Sequence, residues 1–158
     1  MTTLFEDLAT DAQELTTDRG TARLWALTPT VYVTSVVGHM EVAHGELFVR
    51  FAEKRIREAN GKVNVFHDWI EMTGYESRSR QRLTAWSLAN LDAYSEVHLA
   101  LRSKLVAMGV QVANIALGGK IRVFTTRVRL EVELRRALKA SDGSFPAAAA
   151  ARSTGARA

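Results

Sequence analysis

Between residues 22 and 139 the chain switches repeatedly from short β-branched runs to longer stretches with apolar residues three and four positions apart. That alternation restricts the fold more than any other feature. Strands and helices that take turns along a chain bury their apolar faces best by stacking helices on a sheet, which predicts a layered α/β domain. Ala22 to Leu27 and Thr30 to Val37 read as two strands of a hairpin separated by Pro29. From Glu41 to Ala59, Leu47, Phe48, Phe51, Ala52, Ile56 and Ala59 share one face of a helix that stops at Asn60-Gly61. Lys62 to His67 is a third strand, Ser77 to Leu91 a second helix, Glu96 to Leu101 a fourth strand, Lys104 to Leu117 a third helix and Ile121 to Phe124 a fifth strand.

The stretch from Thr125 to Ala140 has two readings. Val128, Leu130, Val132 and Leu134 alternate as in a strand, whereas Glu131, Glu133, Arg135, Arg136, Ala137 and Leu138 suit a helix whose basic end complements its dipole. The helix is favoured, which gives the order ββαβαβαβα. Right-handed crossovers then imply a mixed, mainly parallel sheet of about five strands with four helices largely on one side.

A chain of 158 residues, 47% of them hydrophobic, can close one core. The domain is expected over 21–140, between an acidic extension, 1–20, with a short helix around Leu4 to Leu8, and a disordered Ala/Gly/Ser/Arg tail, 141–158. The absence of cysteine excludes disulfides, zinc–thiolate sites and cysteine nucleophiles. The acidic start is unlike a signal peptide, and no apolar run approaches the ~20 residues of a spanning helix, so a soluble, cytoplasmic protein is expected. Residues 21–140 hold 18 of the 21 bases but only 11 of the 17 acids. Such a surface attracts acidic partners without naming one.

The Lys104 to Leu117 helix carries more apolar residues than one face can bury, which predicts a homodimer contact at Met108, Val110, Gln111 and Asn114. No cofactor, metal site or catalytic residue is expected. Glu41 and His44, with His39 before them, are too few ligands for a metal and read as polar residues of a helix start facing solvent. His67-Asp68 lacks an accompanying nucleophile, and Gly118-Gly119-Lys120 reads as a helix cap and turn. Arginines 78, 80, 82, 127, 129, 135 and 136 read as solvated surface, with nucleic acid not expected as a partner.

The most informative stretch is VNVFHDWIEMTGYESRSRQRL. Asp68 ends a strand, and the acidic-serine pair Glu76-Ser77 opens a helix eight and nine positions later. With the element order, this resembles STAS-like domains, including the bacterial anti-sigma-factor antagonists and the SEC14-like variants. Glu76 stands where that family usually has Asp, and Arg78-Ser79-Arg80-Gln81-Arg82 replaces its run of small residues. The resemblance implies a non-enzymatic regulatory module that docks an anti-sigma or kinase-like protein through Asp68, Trp69, Tyr75, Glu76, Ser77, Arg78 and Arg80. Ser77 matches the serine that partner kinases phosphorylate. Taken alone, Ser77 reads as a helix N-cap, and Trp69 and Tyr75 as loop aromatics that serve as packing lids or interaction anchors. The SEC14-like side implies instead a carrier for an apolar or anionic small molecule between helices and sheet.

Overall fold

The computed structural model describes residues 9–141. Its strands are β1 (Thr10–Thr16), β2 (Gly20–Thr28), β3 (Val31–Met40), β4 (Val63–Trp69), β5 (Met72–Tyr75), β6 (Tyr94–Leu101) and β7 (Ile121–Phe124). Its helices are α1 (Val42–Glu58), α2 (Ser77–Ala89), α3 (Lys104–Ala116) and α4 (Arg127–Ala140). The sheet runs β1-β2-β3-β4-β6-β7, with β5 beside the C-terminal part of β3. β1, β2 and β3 pair antiparallel, and every other pairing is parallel.

Alternation along the central strands sends side chains to two separate cores. Ala22, Leu24 and Ala26 join α1, α2 and α3 on one face, while Trp25 and Leu27 join Leu130, Leu134 and Leu138 of α4 on the other. Three helices therefore cover one face and one covers the opposite face. The mixed, mainly parallel sheet matches expectation, with seven strands in place of about five.

Two strands escaped the sequence pattern. β1 lies in the stretch read as an acidic extension and pairs with β2, so the sheet begins before residue 21. β5 occupies the segment read as a loop: Gly38, at φ 83, sits where β4 leaves β3 and β5 takes its place, and its amide donates to Glu71 O at 3.0 Å. A Cβ at Gly38 would stand 2.6 Å from Arg19 O, so the bend requires glycine in both conformation and space. The helix expected near Leu4 and the tail from 142 lie outside the described residues.

α4 settles the ambiguous stretch as a helix. Leu130, Leu134 and Leu138, four apart, are buried, while Val128 and Val132 are 70% and 51% exposed. The period-two signal arose from valines that face solvent. At the start of α1, His44 is buried and its Nδ1 accepts from Glu41 N at 2.9 Å, forming part of a capping box and not facing solvent. No helix among the described residues is long and apolar enough to cross a membrane.

Candidate functional site

The face beneath α1, α2 and α3 is incompletely filled. A cavity of about 120 Å³ lies there, its floor built by Tyr32, Val65, His67 and Leu99 of the sheet. Phe48 of α1, Leu83 and Trp86 of α2 and Val106 and Val110 of α3 line its helical side. Tyr75 lies against α3 at Gly109, where any Cβ would overlap its hydroxyl. The polar lining residues Arg80, Thr84, Ser87 and Lys120 are half-exposed.

A cavity of about 150 Å³ can hold benzene, so one near 120 Å³ suits a compact molecule and is too small for a long acyl chain. The walls are mostly hydrocarbon, and the polar groups among them are tied to one another. Tyr32 and Tyr94 hydroxyls meet at 3.0 Å, and burial pushes both phenols up, so both stay protonated. Thr34 Oγ1 lies 2.7 Å from His67 Nδ1 and accepts from Trp69 Nε1 at 3.3 Å. Burial, assisted by His98, pushes the His67 imidazole down to about 3. The ring is therefore neutral at physiological pH.

The residues grouped from sequence are divided by the sheet. Asp68 is buried on the α4 side, where its Oδ2 accepts from Arg127 Nε at 2.6 Å, while its neighbour Trp69 points to the cavity side. Trp69 is a buried strand residue packed edge-on to Phe48, not a loop aromatic, and Tyr75 ends β5. Ser77 is exposed and is the first residue of α2 rather than its N-cap. Glu76 takes the cap position, because its amide is held extended by Met40 O at 2.9 Å and its carbonyl accepts from Ser79 and Arg80. Its carboxylate lies 3.8 Å from Arg19. Arg78 is exposed, and Arg80 lines the cavity.

The proposed self-association set does not form one surface either. Met108 and Gln111 face outward, but Val110 is only 9% exposed, and Asn114 bonds the backbone of Ile121 at 2.9 and 3.1 Å. The outward apolar row of α3 is Leu105, Met108, Val112 and Ile115. Tyr32, Tyr94 and Gly109, which line the cavity, and Thr34, which bonds His67, had no motif to mark them. Only the register of β3 on β4, which sets Thr34 opposite His67, brings that pair together.

No protein-family model matches the sequence, and no curated protein matches it. Among solved structures it is similar to an uncharacterized protein of the DUF3478 family from Shewanella loihica PV-4, described as having a SpoIIAA-like fold. The two are 12% identical, with a TM-score of 0.52, and the match covers 75% of this chain and 88% of that one.

Proposed function

Starting from a SpoIIAA-like, STAS-type fold, we propose that this chain is a binding module without bond-breaking chemistry, whose cavity between the sheet and α1, α2 and α3 takes up a compact apolar molecule. One observation carries the reading: about 120 Å³ of mostly apolar space between the sheet and three helices, with half-exposed Arg80, Thr84, Ser87 and Lys120 among its lining. An apolar molecule seated there would remove that lining from water. This favours the carrier alternative, with a ligand smaller than a lipid, in a cytoplasmic setting.

The test is uptake. Cyclopentane should raise the melting temperature of the wild type, and native mass spectrometry of freshly purified protein should show a retained small mass. Val110→Phe, which fills the space from the α3 side, should abolish both responses. A wild type that neither retains nor takes up any such molecule would defeat the reading.

A second reading, regulatory docking of an anti-sigma or kinase-like protein, is favoured by a different observation. Ser77 is exposed at the first position of α2, Arg78 beside it is exposed, and no side chain caps that helix start. A phosphate on Ser77 would meet the first-turn amides and the positive end of the helix. Pulldown with wild type and Ser77→Asp tests it: partner binding should change with the added charge, and equal capture removes the switch.

A further inference from the structure

Resting on the cavity reading, we infer that His67 is its polar anchor, held by Thr34 as the Nε2–H tautomer, so that the site selects a compact neutral molecule carrying one hydrogen-bond acceptor, a ketone-type carbonyl. The argument begins with proton inventory. Trp69 Nε1–H can only donate, and it donates to Thr34 Oγ1 at 3.3 Å. Thr34 owns one hydroxyl proton, and His67 Nδ1, 2.7 Å away, is the one remaining partner of that hydroxyl. If Thr34 donates to Nδ1, every member of the chain is satisfied and the ring proton sits on Nε2. The opposite tautomer would leave the Thr34 proton without an acceptor at a fully buried residue, which is costly.

The framework leaves little freedom to change this arrangement. Thr34 and His67 are register partners on adjacent strands, and the imidazole is flanked by Trp69 at 4.8 Å and Phe48 at 6.2 Å between ring centres. With Nδ1 occupied, Nε2–H is the ring's free polar group, and His67 forms part of the cavity wall. The Tyr32–Tyr94 pair adds to the same bias: two hydroxyls own two protons, one of which is used between them, leaving a second donor at the wall. Nε2–H can only donate and the tyrosine pair has a proton to spare, so a ligand acceptor finds a donor at both places.

Charge decides between acceptors. The two cations that line the cavity, Arg80 and Lys120, are half-exposed, and Lys120 Nζ already donates to Leu91 O at 3.0 Å. A carboxylate set against the neutral His67 would exchange its hydration for one neutral donor, its charge left to what Arg80 and Lys120 reach from the half-exposed lining, whereas a carbonyl loses little and gains the Nε2–H bond.

Three ring molecules with no more heavy atoms than benzene test this on the full chain at neutral pH: cyclopentanone, cyclopentane and cyclopropanecarboxylate. His67→Phe should weaken cyclopentanone binding about tenfold and leave cyclopentane within about twofold, and the wild type should bind the carboxylate at least about tenfold more weakly than the ketone. Nitrogen-15 NMR of the unmutated protein gives a readout independent of any variant's folding. The His67 ring should report Nε2–H and shift on adding cyclopentanone. An Nδ1–H tautomer, or equal losses for ketone and hydrocarbon in His67→Phe, overturns the anchor and leaves the cavity standing; failure of the wild type to bind either overturns both.

Discussion

Acidification will cost the fold about 2.7 kcal/mol through His67 alone between about pH 7.5 and about pH 4.5. Burial holds the native imidazole down to about 3, against an ordinary value of 6.5. Across this window the folded protein keeps His67 neutral, while the unfolded chain takes up a proton below its own pKa. The unfolded state then binds more protons, so stability falls as pH falls: it is complete above about pH 6.5, declines by about 1.36 kcal/mol per unit below that, and levels off near the native value. Two units below 6.5 gives the stated loss, and a native value one unit higher would barely change it. His98 is also lowered by burial and acts in the same direction, so the measurement must be a difference. Urea unfolding of wild type and His67→Phe should be followed at several pH values. With a slope of about 1–3 kcal/mol per molar urea, the gap between their midpoints should change by about 1–3 M over the window. A gap constant to within about 0.5 kcal/mol would mean that His67 titrates alike in both states, refuting both its burial and its role as a neutral donor.

The α3 contrast is sharp. Val110→Glu, which buries a charge, should unfold or strongly destabilise the protein, whereas Ile115→Glu, at a residue 82% exposed, should change chemical stability by no more than about 0.5 kcal/mol. Sedimentation of the wild type and Ile115→Glu then tests self-association through the outer row: a lighter species in the variant supports it, and a monomeric wild type removes it. Ser77→Ala should cost less than about 0.5 kcal/mol in thermal unfolding, because Glu76 holds the cap position; a loss near the ~1 kcal/mol typical of a cap would contradict that assignment. Gly109→Ala should destabilise by about 1–3 kcal/mol through its clash with Tyr75, and a double-mutant cycle with Tyr75→Leu should recover much of that loss. Leu134→Ala, at a fully buried α4 residue, should cost about 2–5 kcal/mol by calorimetry.

The fold was legible where one physical signal dominated. The β2–β3 hairpin, α1 and the parallel strands carry clean periodicity, because each buries one face or both. β1 was hidden because its side chains are mostly exposed, so Thr, Asp and Glu mask a strand held mainly by backbone pairing with β2. β5 is four residues long and contains Gly74, leaving too little pattern to separate it from a turn. Of the site, only the segment around Trp69, Tyr75 and Arg80 was visible, singled out for a docking surface rather than for a cavity wall. Asp68 and Ser77 sat at matching offsets in the sequence, yet alternation along β4 turns Asp68 to the α4 side, into an ion pair with Arg127. The Thr34–His67 pair could not be read at all, since it is created by strand register and not by spacing along the chain.

The division of the interior into two cores has a consequence for how such a protein changes over generations. The sheet lies between α4 and the cavity, and the two sets of core side chains share no member. Substitutions separated by a sheet and lacking shared partners combine almost independently. Substitutions around the cavity would therefore reshape it while Leu130, Leu134, Leu138 and the Asp68–Arg127 pair keep the opposite layer in place.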